Sequence, residues 1–221
     1  MDWSQSLNAK IVGCRQCPRL VKWREEVARE KKHEFRAWDY WGKAVPSFGD
    51  PNAQVLIIGL APGAHGANRT GRMFTGDSSG KWLFRALHKA GFASQSTWER
   101  RDDGIKLIDC YITAACHCAP PDNKPLPVEI ANCNGFLRVE LKQMRRVRVV
   151  IALGKIAFDT FLRTATVPKP WPKFSHNSVH LCSRSVSFGS ARAEAHASAT
   201  VPLIASYHPS RQNTNTGRLT E

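Results

Sequence analysis

The chain is 221 residues long, enough for one substantial core or at most two small domains. Its 42% hydrophobic content excludes wholesale disorder, and no apolar run is long enough to span a bilayer. Thirty-two basic residues against 18 acidic ones leave a formal net charge of +14, so polyanions are the expected partners and nucleic acid the first among them.

The opening MDWSQSLNAK lacks the pattern of a signal peptide, so a cytoplasmic protein without membrane attachment is expected. From Cys14, CRQCPRLVKWREEVAREKKHEF places a cysteine pair ahead of a charged helix. A Trp-rich connector, RAWDYWGKAVPSFGDPNA, leads into VLIIGL (55–60), whose unbroken apolar run predicts a buried strand. A long polar loop follows, and then a helix carrying Trp82, Leu83, Leu87 and Phe92 near the helical period. IKLIDCYITAAC predicts a second strand, PPDNKPLP a rigid turn, and VEIANCNGFLRVELKQMRR a second amphipathic helix. VRVVIALG is a third strand followed by the helix KIAFDTFLR, and VPLIASYHPS a fourth that runs into the polar loop RQNTNTGR. Residues 168–198 have weak pattern and many small polar residues, and they read as an insertion or irregular hairpin. Strand–helix alternation of this kind predicts an α/β fold with a mainly parallel sheet covered on both faces. In such folds ligands sit beyond the carboxyl ends of the strands, so the loops after VLIIGL, YITAAC and LIASY should meet in one crevice.

Seven cysteines in a reducing compartment point to metal or cluster ligation rather than disulfides. Cys14 and Cys17 form a C-x-x-C pair with polar neighbours, while Cys118 and Cys133 flank the proline-rich turn. That uneven spacing suits a cube-shaped iron–sulfur cluster at least as well as a tetrahedral zinc ion, and Cys116 is a fifth candidate beside Cys118. Cys110 and Cys182 have apolar neighbours and read as core residues.

The loop Gly59–Gly80, GLAPGAHGANRTGRMFTGDSSG, lacks both the phosphate-binding G-x-x-x-x-G-K-[ST] and the dinucleotide G-x-G-x-x-G. It does hold one acid, Asp77, and one phenylalanine, Phe74, with little apolar company, a suitable stacking surface for a base. His208 stands just past the last strand beside Ser210 and Arg211. An acid, an aromatic ring and a histidine at matching strand ends form a catalytic constellation rather than a set of isolated residues.

On these residues the sequence resembles the family 5 (class b) branch of the uracil-DNA glycosylases. GLAPG from Gly59 to Gly63 and HPS from His208 to Ser210 resemble the two superfamily motifs, and GANRTGRMFTGD resembles the extended loop of the iron–sulfur branches. C-x-x-C, CAPPDNKP and Cys133 are similar to the four-cysteine pattern that holds a 4Fe–4S cluster there. The resemblance implies a single domain over 1–221, a three-layer α/β/α sandwich around a short, mainly parallel four-stranded sheet, and a 4Fe–4S cluster on Cys14, Cys17, Cys118 and Cys133. It implies hydrolysis of the N-glycosidic bond of uracil, and of other deaminated or damaged bases such as hydroxymethyluracil, ethenocytosine and hypoxanthine, in double- or single-stranded DNA.

The resemblance places Phe74 under the base, His208 as donor to its carbonyl, Asn123 as reader of its edge, and Gly59, Ala61 and Gly63 around it. Many relatives position water from the first motif, where this chain has Leu60 and Ala61; Asp77, the nearest acid downstream, is the residue expected in that role. Arg69, Arg72, Ser210 and Arg211 are the expected phosphate contacts, Arg211 or Gln212 the expected wedge, and a monomer the expected state. The alternative on the same charge and cysteines is a non-catalytic iron–sulfur or zinc module that binds nucleic acid, which needs neither Asp77 nor His208.

Overall fold

A computed structural model describes residues 2–98, 100–183 and 200–220. Among them the chain begins with α1 (Trp3–Val12) and α2 (Pro18–Glu30), followed by a short 3-10 turn at His33–Phe35. Then come β1 (Phe48–Gly49), β2 (Val55–Gly59), α3 (Ala67–Thr70), α4 (Ser78–Lys89) and β3 (Cys110–Ala114). A second 3-10 turn at Pro121–Asn123 precedes α5 (Pro127–Gln143), β4 (Val149–Leu153) and α6 (Lys155–Thr164). The order closes with β5 (Ser178–Ser183), β6 (Thr200–Ser206) and α7 (Arg211–Asn215).

The strands form one sheet in the order β1-β3-β2-β4-β6-β5. β3, β2, β4 and β6 run parallel, and their registers bring the carboxyl ends level: Gly59 pairs with Ala114, and Leu153 with Ser206. Every residue of β2 and β3 is buried, which is why both read as continuous apolar runs. From β2 the chain moves to β3 on one side, then returns across β2 to β4 and β6 on the other. Right-handed crossovers put the connecting helices of opposite moves on opposite faces. Accordingly Phe84 and Leu87 of α4 pack with Ile57 and Ile112, while Leu137 of α5 and Phe158 of α6 pack with Leu56 and Ala152 on the other face. A sheet that reverses direction at β2 opens a crevice at that strand's carboxyl end.

The sheet has six strands where four were expected. The four parallel strands are those the sequence predicts; the two additions are antiparallel edges. β1 is two residues long, too short for any periodic signal. β5 lies in the segment expected to be irregular, and its pattern misleads because Val179 and Leu181 are 60% and 75% exposed while Cys182 is buried. The remainder of that segment, 184–198, lies outside the described residues.

Pro18 sits in the first turn of α2, where its fixed φ suits a helix and its missing N–H costs nothing. The buried stripe of that helix is Leu20, Val21, Arg24 and Val27, so a guanidinium occupies a core position. Arg19 on the outer side clamps Glu129 of α5 at 2.8 and 2.7 Å, and Glu129 in turn accepts from the Leu126 N–H at 2.6 Å. These bonds fix the N-terminal helices against the start of α5.

Candidate active site

β2 ends at Gly59, and the chain turns out of the sheet there. A Cβ at Gly59 would stand 2.8 and 2.9 Å from Cε2 and Cζ of Phe74, so only glycine lets that ring lie on the strand end. Phe74 itself has φ +53°, a left-handed conformation that an aromatic residue holds only when its surroundings impose it. Those surroundings are fully packed. Met73 and Thr75 on either side are buried, Thr75 Oγ1 donates to the Arg72 carbonyl at 2.8 Å, and a Cβ at Gly80 would fall 1.8 Å from the Phe74 carbonyl oxygen. The first turn of α4 is therefore pressed onto the backbone that presents the ring.

Asp77 caps that helix: its Oδ1 accepts the Gly80 N–H at 2.9 Å. Oδ2 lies against Gly63 and Gly66, where a Cβ would come to 3.0 and 2.5 Å. Burial raises the Asp77 pKa above the ordinary 3.8, opposed by the Gly80 and Ser79 N–H groups and by Arg211 and Arg69.

β6 delivers His208 to the same place. Its backbone carbonyl accepts from Ser210 N at 2.7 Å and Asn213 Nδ2 at 2.8 Å, which fixes the turn into α7. A Cβ at Gly154, just beyond β4, would lie 3.7 Å from that of His208, so the histidine packs over the neighbouring strand end. Burial lowers its pKa from 6.5 to about 4, with no charged neighbour contributing, so the ring is neutral and offers one N–H donor. From β3 the chain passes Cys118 and Pro120 to Asn123, whose φ of +56° is tolerated better by Asn than by most residues.

These groups line one cavity of about 300 Å³. Gly59, Ala61, Gly63, Phe74, Asp77, Asn123, His208 and Ser210, all expected at the site, lie in its wall. The sequence did not single out Met73, Ser79 or Ala114, which also line it. Ala114 could have been found from the strand-end rule, and Ser79 from its place in the first turn after a capping Asp. The volume is at the small end for ligand sites, which suits one planar ring system. The rings of Phe74 and His208 are 5.6 Å apart at 27°. A base sandwiched between them would need about 7 Å, two contacts of about 3.5 Å. The gap between the two rings therefore does not admit a base as it stands, and one stacks on Phe74 only when the imidazole moves aside.

Arg69 and Arg72 are not the surface cations that the sequence led us to expect. Both are 3% exposed. Arg72 grips Asp103 through two bonds of 2.8 and 2.7 Å and also donates to the Arg101 carbonyl at 3.0 Å. Arg69 donates to the His65 and Gly76 carbonyls at 2.9 and 3.0 Å. They are internal struts of the loop, because a long loop on a sheet edge must satisfy its carbonyls somewhere. Arg211 and Gln212 remain exposed, and the Arg211 charge acts on Asp77 and on Glu34.

Five thiols gather around the β3 exit. Cys14 follows α1, Cys17 caps α2, Cys116 and Cys118 follow β3, and Cys133 lies in α5. Cys17 and Cys118 each lie within electrostatic reach of both Cys14 and Cys133, and Cys116 packs in one buried cluster with Cys133. The guanidinium of Arg24, 1% exposed, donates to Cys118 Sγ at 2.8 Å and to the Cys14 carbonyl at 3.1 Å, and among the described residues its Nε has no hydrogen-bond partner. Among the described residues no three Cys, His, Asp or Glu side chains stand close enough to hold a single metal ion. Cys110 and Cys182 are buried in the two sheet cores, as read from their neighbours.

No helix among the described residues is long and apolar enough to cross a membrane. The profile of the uracil DNA glycosylase superfamily matches residues 46–221. The chain is 47% identical over 214 residues to the type-5 uracil-DNA glycosylase of Thermus thermophilus, covering 95% of this chain and 88% of that one. It is 42% identical over 218 residues to that of Pyrobaculum aerophilum, covering 99% and 87%. A type-4 uracil-DNA glycosylase of Sulfurisphaera tokodaii is 28% identical over 137 residues, covering 62% and 54%. The α/β sandwich, the base-sized cavity at its reversal point and these similarities agree, and the chain belongs to the uracil DNA glycosylase superfamily, alongside its type-5 members.

Proposed function

We propose that the protein is a DNA repair enzyme that hydrolyses the bond between uracil and deoxyribose in DNA, leaving an abasic site. The observation that carries this reading is that Phe74, Asp77, Asn123 and His208, from three separate strand exits, line one cavity of about 300 Å³. A base inside a duplex is unreachable, so the nucleotide enters flipped out, most cheaply from a weak pair such as U·G. Phe74 replaces the lost stacking, on the order of 1–3 kcal/mol, and Asn123 reads the base edge.

As the C1′–N1 bond breaks, its electron pair stays on the base and positive charge develops on the sugar. The neutral His208 donates to the base carbonyl that takes up the negative charge, helped by the Gly63 N–H. To do so from its present position the imidazole turns out of its near-parallel alignment with Phe74. The Asp77 carboxylate stabilises the sugar cation and orients a water, whose oxygen bonds to C1′ while its proton passes to the carboxylate or to solvent; the base leaves and is protonated. The cavity rests on glycines rather than on a side chain filling the base plane, which supports acceptance of other deaminated or damaged bases. Arg211 and Ser210 hold phosphate, and Arg211 or Gln212 fills the gap left by the flipped base.

The four cysteines Cys14, Cys17, Cys118 and Cys133 suit a 4Fe–4S cluster better than one ion. They are all thiols, they converge from three segments, and the buried Arg24 cation beside Cys118 calls for the negative charge that a thiolate-bound cluster carries. When bound, the cluster supplies a structural cross-link between α1, α2, the β3 exit and α5; hydrolysis transfers no electrons. The enzyme acts as a monomer.

The test is strand cleavage. A U·G duplex is incubated with the protein in EDTA, then treated with alkali to cut abasic sites. Cleavage at the uracil is expected. An intact strand at enzyme excess would leave the protein a DNA-binding module without catalysis.

A further inference from the structure

A second and larger cleft, about 760 Å³, lies on the other side of α3 from the nucleobase cavity. Ala67 of that four-residue helix lines the nucleobase cavity, and Arg69 and Thr70 line the cleft, so one short element is the wall of both. The rest of the cleft comes from the Trp-rich connector, through Trp38, Tyr40, Trp41 and Lys43, and from the turn holding Arg100 and Arg101.

Its aromatic rings and cations are already matched face to face. The Arg69 guanidinium carbon lies 3.8 Å from the centre of the Phe35 ring and 4.1 Å from that of Trp38. Arg101 is 4.5 Å over Trp41, Lys43 is 5.5 Å over the same ring, and Arg100 is 6.0 Å over Trp38. The platform is rigid. Trp41 Nε1 donates to the Ala44 carbonyl at 2.9 Å, its backbone N–H donates to Arg69 O at 3.0 Å, and a Cβ at Gly71 would strike the indole at 2.9 Å. The Arg100–Arg101 turn is tethered by Arg72, which holds both Asp103 and the Arg101 carbonyl. Arg69 is 3% exposed, yet among the described residues its Nη1 has no hydrogen-bond partner.

Four cations, Lys43, Arg69, Arg100 and Arg101, outnumber the two acids Asp39 and Asp102 in this wall. The exposed Arg101 side chain covers Trp41, so a base takes that ring only as the guanidinium swings off it onto the adjoining phosphate, and only an unpaired base can enter so recessed a place. The cleft also touches the loop that carries Phe74 and Asp77: Tyr40 Oη is 3.0 Å from Nδ1 of His65.

We propose that this cleft is an accessory subsite for an unpaired stretch of the DNA strand that carries the lesion, with a base on Trp41 and its phosphates on Arg100 and Arg101. The proposal rests on the glycosylase reading for the identity of the strand, but its binding test does not depend on excision. It gives the enzyme a built-in means of favouring bubbles, ends and single strands over an intact duplex.

The experiment measures binding of an undamaged 12-nucleotide single strand by fluorescence anisotropy, over a salt series, to the whole protein and to the exposed double variant Arg100→Ala/Arg101→Ala. The variant's folding is checked by thermal melting. Loss of two phosphate contacts should lower the slope of log affinity against log salt by about 1.4, from about 0.7 per contact on single strands, and weaken binding about tenfold or more at low salt. Equal slopes and affinities in the two proteins would overturn the subsite. So would full competition of the 12-mer by deoxyadenosine monophosphate at comparable concentration, which would make the cleft a mononucleotide site. A parallel excision assay on uracil-containing strands of 3 and 12 nucleotides separates the two readings. A wild type that prefers the longer strand, with the preference lost in the variant, supports the subsite. A wild type that releases no uracil from either strand, with the binding difference intact, would sink the glycosylase reading while leaving a strand-binding cleft.

Discussion

Asp77 has two duties that a substitution can separate. It caps α4 through Oδ1 and presents Oδ2 beside Gly63. Asparagine caps a helix about as well as aspartate but carries no charge. Asp77→Asn should therefore melt within about 1 kcal/mol of wild type while excising uracil about 10² to 10⁴ times more slowly. Asp77→Ala should add a stability loss of about 1 kcal/mol from the missing cap. Single-turnover excision beside a melting curve reads both. The pH profile follows from the same residues. His208 stays neutral down to about pH 4 and does not limit the rate near neutrality, whereas Asp77 must be ionised and burial raises its pKa, so activity should fall on the acid side above pH 3.8. Half of this was legible in the sequence. The acid could be chosen because Leu60 and Ala61 cannot hold water, but the cap could not be weighed until α4 was seen to start at Ser78.

A second residue-scale consequence lies outside the site. Glu140 is fully buried, accepts from Ser47 Oγ at 2.5 Å and Tyr111 Oη at 3.4 Å, and burial raises its pKa from 4.5 to about 7. A carboxyl raised on folding binds more protons in the native state than in the unfolded chain between those values. Its favourable contribution is whole below about pH 4.5 and is lost as pH rises through about 7. Glu140→Gln keeps an oxygen for Ser47 and removes the titration. The variant should gain stability relative to wild type between pH 5 and pH 8, by up to about 3 kcal/mol, and a melting series across that range measures it.

At the scale of elements, the site depends on how a loop meets a strand end. Gly59→Ala puts a methyl group where the Phe74 ring lies, at 2.8 Å, without demanding an unusual backbone. The ring tip must move, so excision should drop about tenfold or more while the melting temperature changes little, because a side chain rather than the sheet gives way. The parallel strands announced themselves because every residue in β2 and β3 is buried. β5 did not, because its apolar residues Val179 and Leu181 face outward, and β1 is too short to show any period. Arg69 and Arg72 were misplaced for a related reason. An arginine in a polar loop looks exposed in sequence, and only the tertiary contacts with Asp103 and the loop carbonyls show that it holds the loop from within.

For the whole molecule, the cysteine group lies where the N-terminal helices meet the β3 exit and α5, and Ala61 of the nucleobase cavity packs against Cys116 and Cys133. With a 4Fe–4S cluster bound, the protein should be brown, and Cys17→Ser should bleach the visible absorption and lower the melting temperature. Iron and sulfide analysis would decide between a cluster and zinc. A colourless, iron-free wild type prepared without oxygen would remove the cluster from the account. Arg69 and Arg72 are buried and do not place any of the net charge of +14 at the surface, whereas Lys43, Arg100, Arg101 and Arg211 are exposed and are the cations proposed to meet phosphate.

The central claim is that groups from three strand exits act together on one flipped base. The most direct measurement is single-turnover release of uracil from a U·G duplex by wild type, Asp77→Asn and His208→Ala, each at saturating enzyme. The account predicts rapid release by wild type and a loss of about 10² to 10³ in rate for His208→Ala, the effect of one well-placed donor, with a comparable or larger loss for Asp77→Asn. Release by either variant at the wild-type rate would contradict it.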